Sequence, residues 1–274
     1  MIKGYGYLDF KGKELTKGNI PIDIYSNKED AFKEMANEMV EEIVKNNKNH
    51  RKTLFICPLG PVGQYKYFVE TVNKEKISLH DVTFINMDEY MKNEHELVDE
   101  NDFLSFRRIM YVECYNKIDP TLIMPLEQRI FPNPTNRKLI EDTIKNHGGV
   151  DICFGGIGIT GHMAFNEPPK EGDPISVEDY SNLSVRVAQI SEETRVTNSM
   201  NEYHGAYYIM PKYCVTIGMK QILESKKVRL FCFRDWHRSV VRRASFGEVS
   251  VFFPASLLQK HKDARIGISS EVAE

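Results

Sequence analysis

The sequence of 274 residues predicts an α/β protein with a doubly wound, mostly parallel sheet and helices on both faces. Two patterns predict this fold. Short apolar runs alternate with segments in which apolar residues recur every three or four positions, as along one face of a helix. Several runs, such as TLFIC at 53–57, contain almost no polar residue, which is typical of strands covered on both faces. We expect a single domain over residues 1–274, with loose extreme termini.

The elements follow in order along the chain. IPIDIY at 20–25 is the first predicted strand, and Ser26 and Glu29 then have the spacing of a capping box. Apolar residues at helical spacing predict a helix over 28–46, and a second helix is predicted from about 63 to 74. The remaining predicted strands are 53–57, 82–87, 151–154, 185–190, 214–219, 228–233 and 265–269.

The predicted sheet also indicates where a ligand binds. In open parallel sheets, ligands bind beyond the carboxyl ends of the strands. Right-handed crossovers between parallel strands bring the loops that follow them to this edge. Three loops follow predicted strands in this way: 57–63, 86–90 and 155–167. We therefore expect the functional site in these loops.

The bulk composition is that of an ordinary globular protein, with 41% hydrophobic and 27% charged residues. The net charge of −3 is spread along the chain, without the basic stripe that indicates nucleic-acid binding. No apolar run has the length of a signal peptide or a membrane span. The five cysteines lack metal-ligand spacing, which predicts buried, reduced thiols. The sequence therefore predicts a cytoplasmic protein without a nucleic-acid, membrane or metal partner.

The segment GGIGITGHMAFNEPP at 155–169 contains Gly156, Gly158 and Gly161 in a G-x-G-x-x-G pattern. A dinucleotide-binding loop has this spacing, but it lies in the first strand–helix unit and opens a long helix. Here the pattern lies past the middle of the chain, and two prolines leave room for barely one helical turn. We therefore disfavour a dinucleotide cofactor and expect the glycines to let the backbone approach a small ligand.

Titratable residues follow two of the predicted strands. His162, Asn166 and Glu167 lie within six positions of one another after one strand. Asp88 and Glu89 lie at the carboxyl end of another, where two adjacent acids repel each other unless one has a partner or a function. Acids and a histidine at one edge of one sheet predict general acid–base chemistry.

At these residues the sequence resembles a known family. Four segments are similar, in order, to the landmarks of the glucosamine-6-phosphate deaminase (isomerase) family: FINMDEY, GGIGITGHMAFNEP, ETRVTNS and FPASLLQKH. The resemblance spans roughly residues 20 to 262. The related 6-phosphogluconolactonases share the fold and a similar Gly-His loop, but they lack the AFNEP continuation.

The resemblance implies a Rossmann-like enzyme that opens the ring of an amino-sugar phosphate, moves a proton between C2 and C1, and releases ammonia to leave a ketose phosphate. It implies neither a metal nor an organic cofactor. The implied partner is a small phosphorylated sugar, either glucosamine 6-phosphate or a related hexosamine phosphate. Family members occur as monomers and as larger rings, so the resemblance leaves a monomer and a homo-oligomer open.

The resemblance also implies residue roles. Asp88 matches the base of proton transfer, His162 the acid–base of ring opening, and Glu167 an acid that orients and charges this histidine. Arg195 matches a ligand of the phosphate, for which a guanidinium fork is suited. The predicted binding set also contains Gly60, Gly63, Glu89 and Gly161.

Three parts of the sequence depart from the family pattern. Thr160 stands where the family has an aspartate beside the histidine, so a hydroxyl replaces a charge among the catalytic residues. In CPLGPVGQYKY at 57–67, the hydroxyl residues of the phosphate loop are replaced by an apolar residue and a glycine. His237 falls at the position of the phosphate-binding lysine, with Arg234 and Arg238 as alternative cations.

Four hypotheses follow. The leading one is an isomerase or deaminase acting on a phosphorylated amino sugar. The second is a sugar-phosphate sensor that has lost turnover, which Thr160 favours and the intact Asp88 and His162 oppose. The third is an enzyme of the same fold that acts on a lactone or another sugar phosphate, although NMDEY and AFNEP favour a deaminase. A dinucleotide enzyme is the last.

Overall fold

The fold is described from a computed structural model, which covers residues 5–170, 172–173 and 175–274. Over these residues the chain forms ten strands: β1 (Ile22–Tyr25), β2 (Thr53–Cys57), β3 (Val82–Asn86), β4 (Asp88–Met91), β5 (Arg129–Ile130), β6 (Ile152–Gly155), β7 (Arg186–Gln189), β8 (Tyr213–Thr216), β9 (Lys227–Cys232) and β10 (Ala264–Ser269). The α-helices of the same residues are α1 (Lys28–Lys48), α2 (Gln64–Glu75), α3 (Phe106–Glu113), α4 (Arg137–His147), α5 (Val177–Ser181), α6 (Glu192–Glu202), α7 (Met219–Leu223), α8 (His237–Phe246) and α9 (Ser270–Ala273).

Seven strands form the central sheet in the order β1-β10-β9-β6-β2-β3-β5. Every neighbouring pair in this sheet is parallel. The carboxyl ends of β9, β6, β2 and β3 are therefore side by side at one edge. The predicted α/β fold with a mostly parallel sheet is confirmed.

Strand β2 shows why this sheet has helices on both faces. All five of its residues are buried. Leu54 and Ile56 pack into an apolar cluster that contains residues of α4, α7 and α8. Phe55 and Cys57 pack into a second cluster, with residues of α1, α2 and α3. Because each face of the strand is apolar, leaving either face in water would lose the free energy of hydrophobic burial.

A second, antiparallel sheet has the order β4-β8-β7. The segments at 185–190 and 214–219, which the sequence predicts as strands of the parallel sheet, contribute β7 and β8 to this smaller sheet instead. An apolar run indicates burial but not the direction of the partner strand, so the sequence pattern could not separate the two cases. Strand β4 was not predicted; it begins at Asp88, which pairs with Thr216 of β8.

Two local features differ from expectation, whereas the loose N-terminus expected from the sequence falls on residues 1–4, which lie outside the described residues. Helix α1 is capped by Asn27 rather than Ser26, because the Asn27 side chain accepts a 2.9 Å hydrogen bond from the Asp30 backbone N–H. The C-terminal residues, expected to be loose, form α9 and bury Val272 and Ala273. The carbonyls of these two residues accept hydrogen bonds from the guanidinium of the buried Arg242.

The cysteine thiols lie inside the fold. All five cysteines are free and buried, as expected for reduced thiols. Among the helices of the described residues, none is long and apolar enough to cross a membrane.

Candidate active site

A cavity of about 690 Å³ opens beyond the carboxyl ends of β9, β6, β2 and β3. Its volume is in the range of small-molecule sites. All three loops predicted from the sequence reach it. The segments that line it after these strands include 58–62, 87–88, 156–158 and 233–234.

His162 lines this cavity from the loop after β6. A Cβ atom at Gly158 would lie 1.9 Å from His162 Cε1, so the imidazole occupies space that only glycine leaves free. The Gly158 N–H also donates a 2.9 Å hydrogen bond to the His162 carbonyl. Gly161, predicted to contact substrate, is a turn residue with φ +84°, and a Cβ there would lie 2.5 Å from Phe253 Cδ2. The glycine pattern therefore places the histidine rather than a dinucleotide.

Thr160 connects His162 to Glu167. Its hydroxyl donates to Glu167 Oε2 at 2.8 Å, so its oxygen accepts the 2.8 Å hydrogen bond from His162 Nδ1. His162 Nδ1 also lies 3.3 Å from Glu167 Oε2. In this arrangement Nδ1 carries a proton, which leaves Nε2 as the ring nitrogen that can exchange a proton with a ligand.

Glu167 supplies the charge that Thr160 lacks. Burial by itself would raise the pKa of Glu167, but nearby His162 and hydrogen bonds from His162, Thr194 and Thr160 outweigh it and lower the pKa to about 2. The carboxylate is therefore ionised at neutral pH. The structure thus brings together the predicted catalytic residues Thr160, His162 and Glu167, with the Glu167 carboxylate 3.3 Å from Nδ1 of the ring.

Asp88 lines the same cavity as the first residue of β4. Its side chain is buried, and burial followed by the neighbouring Glu89 raises the pKa of Asp88 to about 8. Asp88 is therefore mostly protonated at pH 7. A cationic ligand would favour its ionised form, because an opposite charge nearby stabilises a carboxylate.

Glu89, the second acid, holds the start of helix α3. Its carboxylate accepts from the backbone N–H groups of Tyr90, Phe106 and Arg107 at 2.8–2.9 Å and from the Ser105 hydroxyl at 3.1 Å. Burial raises the pKa of Glu89, although these donors partly offset the rise. Glu89 does not line the cavity. Its oxygens accept hydrogen bonds at a helix N-terminus, which favours an anion, and the predicted contact of Glu89 with substrate stays a prediction.

The loop between β2 and α2 forms one wall of the cavity. Gly60, a predicted binding residue, lines it together with Pro58, Leu59 and Val62. Gly63 does not line it; a Cβ there would lie 2.5 Å from Phe32 Cε2, so this glycine serves the packing of α1. The loop therefore presents backbone and apolar groups but no side-chain hydroxyl to a ligand.

His237 lines the cavity but both of its ring nitrogens are occupied. Nδ1 accepts a 2.8 Å hydrogen bond from the Arg234 N–H, so Nε2 donates the 2.9 Å hydrogen bond to the Ile157 carbonyl. Burial, opposed by the Ile157 hydrogen bond, lowers the pKa of His237 to about 3. The imidazole is neutral and carries no charge for a phosphate, so among the cations considered at this position the structure favours Arg234 or Arg238 over His237.

Arg195 is not among the residues that line the cavity. Its Nη1 donates to the Tyr207 hydroxyl at 2.8 Å and its Nη2 to the Met210 carbonyl at 3.0 Å. The guanidinium also lies 4.6 Å from the centroid of the Tyr207 ring. In this structure Arg195 therefore holds the segment after α6. Helix α6 presents other polar side chains to the cavity: Asn198, Asn201 and Glu202.

Several lining residues were not predicted. Lys28, at the first turn of α1, carries no sequence signal beyond its place after a strand. Tyr90, Phe106 and Phe165 form an aromatic wall. The centroid of the Tyr90 ring lies 4.7 Å from that of Phe106 and 5.6 Å from that of Phe165. Two of these aromatic residues belong to the motifs NMDEY and AFNEP, whereas Phe106 could be placed here only by the fold.

No three histidine, cysteine or acidic side chains of the described residues are grouped so that they could hold a metal ion.

No protein-family model matches the chain. Curated relatives nevertheless cover most of it. The glucosamine-6-phosphate deaminase of Clostridium perfringens is 26% identical over 260 residues, which cover 92% of this chain and 97% of the relative. The glucosamine-6-phosphate deaminase of Aliivibrio salmonicida is 29% identical over 205 residues, covering 73% of this chain and 71% of the relative.

Solved structures give a similar result. A monomeric glucosamine-6-phosphate deaminase superposes with a TM-score of 0.76 at 25% identity, covering 92% of this chain and 98% of the other. The 6-phosphogluconolactonase from Leishmania guyanensis has a TM-score of 0.59 at 16% identity, with 92% and 97% of the two chains covered. The second likeness concerns the fold alone.

Proposed function

Because the chain is a divergent member of the glucosamine-6-phosphate deaminase family, we propose that it is an enzyme that converts glucosamine 6-phosphate, or a related hexosamine phosphate, to a ketose phosphate and ammonia. One observation carries the proposal. Asp88 and His162, which come from distant parts of the sequence, line one cavity, and His162 is hydrogen-bonded through Thr160 to Glu167.

In this proposal His162 opens the sugar ring. Its Nε2 moves a proton from the C1 hydroxyl to the ring oxygen, while Nδ1 stays hydrogen-bonded to Thr160. The ionised Glu167 stabilises the positive charge that the ring acquires when both nitrogens are protonated. Thr160 keeps the imidazole oriented between these partners.

Asp88 then transfers the proton between carbons. Its carboxylate removes the C2 proton, which the C1 carbonyl makes acidic, and returns it to C1. In the same isomerisation one proton of the amino group passes to the C1 oxygen, so that C1 becomes a CH2OH group and an imine forms at C2. Water adds to the imine and ammonia leaves, which gives the ketose phosphate. Asp88 must be ionised for this step, and the amino group of the substrate, when protonated, provides the cation that lowers its pKa.

A cytoplasmic location is part of the proposal. The five free, buried cysteines support it, because thiols persist in reducing compartments.

The decisive experiment measures ammonia and ketose formation from glucosamine 6-phosphate, with galactosamine 6-phosphate in parallel. We expect turnover on the order of 1–10³ per second for a working enzyme. The variant Asp88→Asn should lose turnover while fructose 6-phosphate still raises its Tm. A wild-type chain that the sugar phosphates stabilise but that releases no ammonia would refute the enzyme and leave a sugar-phosphate sensor.

A further inference from the structure

A phosphorylated ligand in this cavity needs a cationic partner, because the loop after β2 offers no hydroxyl. Among the described residues that line the cavity, Lys28 and Arg234 are the lysine and arginine side chains. We propose that Arg234 binds the phosphate of the substrate, and that Glu202 occupies its guanidinium until the phosphate arrives. This inference rests on the proposed function, since it takes the ligand to be a sugar phosphate.

The backbone of Arg234 is fixed relative to the loop that carries the catalytic histidine. The buried His237 accepts a hydrogen bond from the Arg234 N–H and donates one to the Ile157 carbonyl, the residue before Gly158. Gly158 in turn contacts the His162 ring. The two hydrogen bonds of His237 therefore connect the Arg234 backbone to the loop that carries the ring-opening His162. His237 is thus a positioning residue, and the cation lies three positions before it.

Arg234 is held but remains available to a ligand. Its Nη2 pairs with Glu202 Oε1, and both side chains line the cavity. The side chains are 41% and 52% exposed, so water screens the pair and it contributes little net stability. A phosphate dianion presents two oxygens to the guanidinium fork and carries more charge than a carboxylate. Exchange of Glu202 for the phosphate is therefore favourable.

The other cations near this site have other environments. Arg238 pairs with Asp235 at 2.9 Å and does not line the cavity. Arg195 is held by Tyr207 and Met210. Lys28 lines the cavity from an exposed position, and the structure gives it no hydrogen bond that would fix its ammonium group among the described residues. Lys28 is therefore the rival candidate that the experiment must separate from Arg234.

The test measures the Kd of fructose 6-phosphate and of inorganic phosphate by calorimetry, in the wild type and in Arg234→Gln, Lys28→Gln and Glu202→Gln. Arg238→Gln is the matched control, an arginine of the same segment outside the cavity. We expect Arg234→Gln to weaken both ligands about 10- to 100-fold, the range for a hydrogen-bonded charge pair. Arg238→Gln should change Kd by less than about twofold, as expected of a surface charge. Glu202→Gln should tighten binding, because a competing anion is removed.

Kinetics distinguish a ligand from a structural residue. Arg234→Gln should raise KM by the same factor and leave kcat within about threefold, because it removes binding that ground and transition states share. Arg234→Lys keeps the charge but not the guanidinium fork, so its KM should fall between those of the wild type and Arg234→Gln.

Equal weakening in the Arg234 and Arg238 variants, a larger effect of Lys28→Gln, or a wild type that binds neither ligand would each overturn the inference. The proposed function fails separately, as a wild type that binds fructose 6-phosphate tightly but releases no ammonia. In that case the comparison of Kd values still tests Arg234.

Discussion

The Thr160 hydroxyl donates a 2.8 Å hydrogen bond to the carboxylate of Glu167, seven positions further along the same loop. The loop can make this contact because its turn around Gly161 brings both residues to the Nδ1 side of the imidazole. The substitution of threonine for the aspartate of the family pattern therefore removes one negative charge but leaves the ionised Glu167 3.3 Å from His162 Nδ1. This relationship makes an active enzyme compatible with the divergent sequence.

The Thr160 link can be broken without changing the volume of the side chain. Thr160→Val should lower kcat by about 10- to 100-fold, because hydrogen bonds to charged groups contribute about 1.5–3 kcal/mol. Thr160→Ser keeps the hydroxyl and is the control, with kcat expected near the wild-type value. Steady-state kinetics on glucosamine 6-phosphate check both variants. Equal kcat values for Val and Ser would show that the hydroxyl has no part in the reaction.

The pH dependence of kcat/KM should report Asp88 in the free protein. Proton abstraction needs the carboxylate, and the pKa of Asp88 is raised to about 8, so kcat/KM should rise with pH and level off above about 8. The corresponding rise of kcat with pH should occur at lower pH, because the bound amino group favours the ionised form of Asp88. The amino group of the substrate also titrates, so its pKa is measured separately and its contribution is removed from the pH profile. A kcat/KM limb at the ordinary pKa of an aspartate would contradict the burial argument.

Ionisation of Asp88 should also cost stability. From the ordinary pKa of 3.8 up to about 8, the folded chain keeps a proton that the unfolded chain has released. The free energy of unfolding therefore falls across this window as pH rises. Asp88→Asn removes the effect, so its stability relative to the wild type should increase between these pH values by more than the roughly 1.4 kcal/mol of one pKa unit. Urea unfolding at acidic and alkaline pH measures the difference in unfolding free energy between Asp88→Asn and the wild type. A difference that does not change with pH would disprove the prediction.

Neutralising the neighbouring Glu89 should destabilise the fold, in contrast to neutralising Asp88. Glu89→Gln places an NH₂ group among four donors, so at least one of the N–H groups of α3 or the Ser105 hydroxyl loses its acceptor. We expect a loss of about 1–3 kcal/mol of unfolding free energy, the cost of unsatisfied buried groups. The same urea experiment at pH 7 checks it, with Asp88→Asn as the matched control one position away. An unchanged free energy of unfolding in Glu89→Gln would contradict this and would mean that water reaches the start of α3.

The sequence predicted the parts of this fold that depend on short-range pattern. Strand β2 was predicted at its observed bounds, because its five apolar positions need burial on both faces. The three loops of the cavity follow from the same pattern, since parallel strands end at one edge. Strands β7 and β8 were assigned to the wrong sheet because their apolar content does not encode the direction of their partners.

Residue roles that depend on distant partners could not be predicted in this way. The donors that occupy Glu89 lie up to 18 positions away, and the carbonyl that occupies His237 lies 80 positions away. Arg195 likewise is used by Tyr207 and Met210, which no motif connects to it. In each case the residue type matched a ligand-binding role, and the fold gives its polar atoms hydrogen-bond partners that the sequence could not reveal.

The apolar loop at 58–62 has a consequence for how this chain diverged. The groups proposed to transfer protons come from β4 and from the loop after β6. This wall of the cavity follows β2, and its residues 58–62 make no hydrogen bond to Thr160, His162 or Glu167. Exchange of a few residues there reshapes the space around a ligand and leaves the proton-transfer groups in place. Substrate preference and reaction chemistry can therefore evolve at different rates in this fold, and the loop is the segment to exchange between relatives when a new sugar specificity is sought.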